Sequence, residues 1–317
     1  MSIDRYIATP LTAGDYALAE GVTWDERLGR VLWVDINEAA ILFAPFADGR
    51  LGEIQRITLA DEDGRTGTVS AVALAEDGGL LIATAASLCT VAPDGDVGLV
   101  TDILPNDGLR RLNDGICDPA GRFLVGTMSL EGSTGMEELF QVESDRLGES
   151  PVVLERIGLA NGMGFTPDGR TLYFIDTAPL GVSETGTTTL PGIVWAADYD
   201  AATGAASNWR QAFRVADGRP DGMRVDSEGN LWIAIWGGGQ VRRYTPTGEI
   251  TAVVDVPAPF TTCLAFAGDD LDTLIISTSN RDHDPAARAE FPHAGGLFSA
   301  RVSTRGQLSY RWPGATF

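Results

Sequence analysis

The sequence predicts an all-β fold, a six-bladed β-propeller of four-stranded antiparallel blades that occupies residues 1–317 as a single domain. Three observations lead there. Six copies of a turn–Gly–strand pattern recur along the chain, their spacing suits one blade each, and helical periodicity of useful length is nearly absent. The chain has 317 residues, 44% of them hydrophobic. That is enough to bury a large core, and a repeat architecture is the simplest way for a chain of this length to remain one domain.

The copies run in order as ERLGRVLWVDI (26–36), AEDGGLLIAT (75–84), DPAGRFLVGTM (118–128), TPDGRTLYFIDT (166–177), DSEGNLWIAIWGGG (226–239) and GDDLDTLIISTS (268–279). Aligned on Trp33, Leu81, Leu124, Tyr173, Trp232 and Ile275, they recur on average about every 48 residues, the period of a four-stranded blade. Further strand-like runs closed by turn signals fill the intervals, among them GIVWAADYDAATG and QVRRYTPTGEITAVVDV. Trp33, Tyr173 and Trp232 are expected to pack between blades. Trp236, beside a Gly turn, is a candidate to line a pocket. The longest interval holds APLGVSETGTTTLPG (178–192), a loop inserted in the fourth unit that could trim access to a central site.

Charge narrows the function classes. The formal net charge is −21, and all 23 basic residues are Arg. Such a surface repels phosphate backbones and anionic lipid, so nucleic acid and membrane surfaces are not expected partners. Cys89, Cys117 and Cys263 lack metal-type spacing and fall in or beside apolar runs, as free core thiols of a reducing compartment do. The N-terminus has no charged-then-apolar leader pattern, and no apolar run approaches the length of a membrane span. The expectation is a soluble, cytoplasmic protein.

Counting back eight residues from the turn glycine gives Ser70, Asn113, Asn161 and Asp221, and the sixth unit contributes Thr262. In the first unit the polar residue, Glu20, stands nine before Gly29. Equivalent positions of radially arranged repeats converge on the axis, so these six residues should ring one mouth of the channel. Asn-Gly and Asp-Gly also serve in turns, and a single copy would mean little. Four acidic or amide residues in phase favour a cation site, because half-buried carboxylates are costly unless paired or metal-bound and there is no Lys to pair them. Oxygen donors of this mixed type suit one divalent cation, Ca²⁺, Mg²⁺ or Mn²⁺, with Zn²⁺ or Fe²⁺ also accommodated.

At these residues the sequence resembles the SMP-30/gluconolactonase/luciferin-regenerating-enzyme-like (regucalcin-like) family of six-bladed propellers. The stretches that carry the resemblance are LAEGVTWDERLGRVLWVDI, RRLNDGICDPAGRFLVGTM, LANGMGFTPDGRTLYFIDT, RPDGMRVDSEGNLWIAIWGGG and PHAGGLF, which keep their order over most of the chain. The resemblance implies a single divalent cation held by Glu20, Asn161 and Asp221, with Asn113 nearby. It further implies that Arg111, Asn113 and, soon after GTM, Glu131 contact a sugar-like substrate. Val22 replaces the Pro usual after EG in that family, and the 178–192 insertion is also a departure.

The implied activity is metal-dependent opening of a sugar-acid lactone such as an aldonolactone. A hard cation with open positions polarises an ester carbonyl and lowers the pKa of a bound water. Asp221 is then the candidate general base, the alternative being a metal hydroxide with Asp221 as ligand only; Arg111 would donate to ring hydroxyls or to charge developing on the carbonyl oxygen. Two other readings stay open, a diisopropyl-fluorophosphatase-like phosphotriesterase and a non-catalytic Ca²⁺-binding propeller. The expected partner is a small-molecule sugar lactone, and the assembly a monomer or small homo-oligomer. Asp114 is expected behind the ligands, Asp35 and Asp176 as turn caps, and the segment with His283 and His293 across the mouth. With only two histidines and no serine-nucleophile motif, a Ser-His-Asp hydrolase is not expected.

Overall fold

A computed structural model describes residues 3–59, 67–146, 148, 150–180, 191–281 and 285–314. Six small sheets form the ring that the repeats foretell. Their innermost strands are Ala19–Asp25, Ala71–Leu74, Arg110–Cys117, Ala160–Phe165, Arg219–Val225 and Thr261–Ala267. Each contacts the innermost strands of the blades before and after it, and the sixth returns to the first. Among the described residues the only α-helix is the short Pro285–Glu290, inserted in the sixth blade, and no helix is long and apolar enough to cross a membrane.

Each aligned repeat forms the second strand of its blade, the turn glycine closing the hairpin from the innermost strand. Gly78, Gly121, Gly169 and Gly229 all have positive φ there, a conformation that costs any other residue strain. The core is divided accordingly. Six apolar clusters lie between neighbouring sheets, and the apolar face of each strand is buried against the next blade rather than at a common centre. Trp33 and Trp232 are fully buried and Tyr173 nearly so, each in one of these clusters. Trp232 also donates from Nε1 to Asp226 Oδ2 at 3.0 Å.

The two ends of the chain close the ring. Thr9–Pro10 pairs antiparallel with Leu297–Arg301, completing the sixth blade. Asp4–Ile7 pairs with the outermost strand of the fifth blade, Ile250–Asp255, in parallel, so that sheet gains a fifth strand and departs from the purely antiparallel expectation. At the other end, the tail crosses the far side of several blades. Gln307 Nε2 donates to the carbonyls of Phe165 and Val225 at 3.2 and 3.0 Å, tying the fourth blade to the fifth. Arg311 reaches Asp25 and Glu26 of the first blade at 2.9 and 2.8 Å, and the Trp312 N–H donates to Leu74 of the second at 2.8 Å.

All three cysteines are free and buried, and burial pushes the thiols of Cys117 and Cys263 far up. The native protein should therefore leave all three unlabelled by a thiol reagent that modifies all three in denaturant. Rapid modification of the native fold would contradict this packing. Arg311→Ala should cost about 2–3 kcal/mol, read as a lowered denaturation midpoint, because it strips a buried guanidinium from Asp25 and Glu26; Asp25 keeps Arg30, which holds the loss below that of a fully orphaned buried charge.

Candidate active site

The site begins as an irregularity of backbone pairing. In the third blade Leu112 pairs with Thr127 but Gly115 pairs with Val125, so the innermost strand spends three residues where its neighbour spends two. The same one-residue bulge falls between Ala160 and Met163, between Pro220 and Met223 and between Thr261 and Leu264. A bulge re-aims side chains and leaves the extra residue outside the ladder. The bulged residues are Asn113, Asn161, Asp221 and Thr262, the positions that repeat counting places at the mouth.

Glycine follows two of these residues because the neighbouring blade leaves no room for anything else. A Cβ on Gly162 would lie 2.5 Å from the backbone nitrogen of Met223, and one on Gly222 would lie 2.8 Å from Cys263 Cα. The first blade solves the geometry differently. Its bulge lies between Glu20 and Thr23 and begins at Gly21, with φ of 59°, so the polar residue precedes the bulge and carries a side chain one methylene longer. That offset is the nine-residue count seen in the sequence.

The bulges open onto a cavity of about 280 Å³ lined by Glu20, Arg111, Asn113, Asn161 and Asp221, with Arg219, Arg281, Thr177, Trp236, Met128, Leu18, Leu159 and Ile36 completing the wall. Ser70 and Thr262 of the ring are buried and do not line it. A directed hydrogen-bond chain runs along one side. Arg111 donates to Asn113 Oδ1 at 2.8 Å, Asn113 Nδ2 to Asn161 Oδ1 at 2.7 Å, Asn161 Nδ2 to Thr177 Oγ1 at 2.7 Å, and Thr177 Oγ1 to the Pro220 carbonyl at 2.6 Å. Because every donor is used in one direction, the orientation of both carboxamides is fixed.

The two carboxylates are electrostatically strained. Burial holds Glu20 well above its ordinary range, with Asp221 and Asp114 adding to the rise. Asp221 is raised in the same way by burial and by Asp114, against a partial offset from Arg219 and Arg111. No described residue donates a hydrogen bond to the Asp221 carboxylate, and Glu20 receives one only from the Gly21 N–H at 3.0 Å. Burial lowers the pKa of Arg111 to about 10, so it remains charged at neutral pH.

Among the described residues no group of three or more His, Cys, Asp or Glu is arranged to hold a metal ion. The cavity instead offers two carboxylates and one carboxamide oxygen. Two under-compensated carboxylates, Asp221 buried and Glu20 half-buried, facing a cavity beside a fixed carboxamide oxygen fit a hard divalent cation, which would supply the missing positive charge.

Other expected residues fall elsewhere. Glu131 is exposed beyond the strand Phe123–Ser129 and does not line the cavity; from that part of the blade, Met128 does. Asp114 lies behind the wall, accepting from the Gly115 N–H at 2.8 Å. Asp35 receives the Leu18 N–H, and Asp176 those of Gly158 and Leu159, so both hold loops that present Leu18 and Leu159 to the cavity. His293 is exposed and absent from the wall, whereas His283 and residues 181–190 of the insertion lie outside the described residues. Trp236 lines the cavity as expected and packs on Phe260, ring centroids 4.7 Å apart.

Counting missed Met128 and Thr177, although a signal was there. Each stands four residues beyond the aligned strand position of its repeat, as Trp236 does. Arg219 opens the same RPDG segment that ends in the bulge at Asp221.

A family model described as the SMP-30/gluconolactonase/LRE-like region matches residues 18–280. The chain is 33% identical to the pentonolactonase XacC of Haloferax volcanii, over 98% of each chain, and 29% identical to regucalcin of Macaca fascicularis, over 93% of this chain and 94% of that one. Among solved structures, it is similar to a calcium-binding protein, regucalcin, from Agrobacterium tumefaciens, with a TM-score of 0.85 and 27% identity over 98% of this chain and 99% of that one. A luciferin-regenerating enzyme shares the fold, with a TM-score of 0.83 and 22% identity over 97% and 99% of the two chains.

In metal-free protein, Glu20 and Asp221 keep their protons longer folded than unfolded, so their contribution to stability is full below the ordinary carboxylate range and is lost as pH rises through the raised values. Glu20→Gln should therefore stabilise chelator-treated protein, and the gain in melting temperature over the unsubstituted protein should grow from pH 4 to pH 8. A gain independent of pH would contradict the strained pair.

Proposed function

The chain belongs to the SMP-30/gluconolactonase/LRE-like family, and from that premise we propose that it hydrolyses a sugar-acid lactone with the help of one divalent cation held by Glu20, Asn161 and Asp221. The observation that carries this reading is the cavity itself, where bulges on separate blades bring those three oxygen donors beside the Arg111–Asn113 pair. A relative bearing the name pentonolactonase along the whole chain supports the reaction class, and a calcium-binding structural neighbour supports the cation.

When bound, the cation polarises the lactone carbonyl and acidifies a water in the site. The chain's own residues do the rest. Asp221 takes a proton from the attacking water, a role favoured by its raised pKa and by the lack of any described hydrogen-bond donor holding its carboxylate. Arg111 donates toward the charge developing on the acyl oxygen; buried and fixed by Leu112 and Asn113 at 2.8 Å, it needs little rearrangement to do so. Asp221 then returns the proton to the ring oxygen as the acyl–oxygen bond breaks. Asn113 braces Asn161 and offers its polar edge to substrate hydroxyls, while Trp236, Met128, Leu159 and Ile36 cover the apolar face of the sugar ring.

Chelator-stripped protein should open a panel of pentono- and hexonolactones no faster than buffer, and Ca²⁺, Mg²⁺, Mn²⁺, Zn²⁺ or Fe²⁺ should restore turnover, measured as acid release at constant pH. Asp221→Ala should abolish the restored activity, a loss of at least about 10³-fold. Asp221→Asn that binds cation and keeps full activity would remove the base assignment. Cation binding, lost activity and an intact fold with every lactone would leave a binding propeller instead.

Cation affinity should fall as pH drops, beginning above the ordinary carboxylate range, because the cation displaces protons from Glu20 and Asp221. Calorimetric titrations in buffers of different ionisation enthalpy should show proton release on binding that is largest at acid pH and diminishes as pH rises; binding without proton release at any pH would contradict the raised carboxylates.

A further inference from the structure

Thr262 belongs to the ring by phase and by bulge, yet it does not line the cavity. Its hydroxyl donates instead to the Ala19 carbonyl of the first blade at 2.6 Å, and Ala19 stands directly before Glu20. The bond ends a directed chain. The Cys263 N–H donates to Ser277 Oγ at 3.1 Å and Ser277 Oγ to Thr262 Oγ1 at 2.7 Å, which leaves the Thr262 proton for the carbonyl. The other two ligands proposed for the cation are approached in the same way. Asn113 Nδ2 of the third blade donates to the Ala160 carbonyl, before Asn161, at 2.7 Å. Thr177 Oγ1 of the fourth blade donates to the Pro220 carbonyl, before Asp221, at 2.6 Å. All three donors are buried. Among the described residues, no side chain of the preceding blade reaches the carbonyl before Ser70, Asn113 or Thr262; the one before Asn113 accepts from Arg111 of its own strand.

A bulge disrupts the ladder that would otherwise hold the strand in place. No described group donates to the Asp221 carboxylate and only the Gly21 N–H donates to that of Glu20, so the place of these oxygens is set by the backbone beneath them. A metal site tolerates ligand displacements of only about 0.2 Å, and groups that orient ligands from behind are worth roughly 10- to 100-fold in affinity. We propose that Thr262 and Thr177, together with Asn113, are positioning residues for the cation. Each is a latch from one blade onto the carbonyl before a ligand of the next, so that closure of the ring sets the distances between Glu20, Asn161 and Asp221. This rests on the ligand set proposed above and not on lactone hydrolysis. A carboxylate at either threonine position could accept but not donate, and the carbonyl would go unmet.

The test is calorimetric titration of chelator-stripped protein with Ca²⁺ and with Mn²⁺, alongside the melting temperature of the metal-free form. Thr262→Val and Thr177→Val keep nearly the same shape and remove the donor; each should weaken binding of the tighter cation by about tenfold or more. Either one decides the matter if the other does not fold. Thr262→Ser and Thr177→Ser restore the donor and should bind nearly as tightly as the unsubstituted protein, even where the lost methyl lowers the melting temperature. Thr261→Val controls for simple loosening. Thr261 is as deeply buried as Thr262 and donates to the Ile235 carbonyl of the fifth blade at 2.8 Å, which precedes no ligand, so this variant should lose stability and keep its affinity. Unchanged affinity in the valine variants overturns the proposal and leaves the cation site standing. An equal loss in Thr261→Val, or no recovery in the serine variants, also overturns it, because loosening of the ring then accounts for the effect. If the unsubstituted protein binds neither cation, the ligand set falls and the latches with it. Latch-dependent binding without turnover of any lactone supports the proposal and overturns only the hydrolase.

Discussion

The extra residue in the innermost strands is the constraint from which the site follows. Regular pairing would send alternate side chains to the two faces of each sheet, and both faces here are taken by apolar packing against the neighbouring blades. Asn113, Asn161 and Asp221 reach the axis where the ladder slips, and it slips at the same step in the third, fourth, fifth and sixth blades. The glycines after Asn161 and Asp221 then let adjacent strands close to within contact of each other's backbone. Bulge and glycine are thus one device: the first turns the polar side chain inward, and the second keeps the ring tight enough for side chains from different blades to meet.

That device concentrates carboxylates where they are costly. Glu20 and Asp221 raise each other's burden in a site with little solvent, and the protein compensates only in part, with Arg111 nearby and Asp114 adding further repulsion from behind. The carboxamides make the opposite choice. Asn113 and Asn161 are satisfied along a single donor chain that ends on a backbone carbonyl, and they are rigid where the carboxylates are not restrained. A site so divided holds its neutral groups in place beforehand and leaves its charged groups to be completed by what binds.

The sequence makes the blades and the ring legible for a single reason. Both depend on repetition at a fixed phase, which survives extensive change of side chain. Glu20 looks out of step by one residue, and the structure explains it as the residue before a bulge that starts at Gly21. Met128 and Thr177 share a second phase that the same counting could expose. Arg281 and Glu131 belong to segments that leave the strands, where no repeat fixes direction, and there resemblance and position part: Glu131 turns to solvent while Arg281 reaches the cavity. The parallel strand Asp4–Ile7 has no counterpart among the repeats, so phase gives no hint of it.

Net charge misleads about the interior for a reason of scale. At −21 the protein as a whole repels anions, yet surface charges are screened over about 8 Å at physiological ionic strength. Inside a poorly solvated cavity, a unit charge about 4 Å away counts for roughly 4 kcal/mol at an effective dielectric near 20. The charged groups on the wall, guanidiniums and carboxylates alike, therefore count for more than the acidic exterior for any ligand that has entered. The outer field acts before that, slowing the approach of an anion.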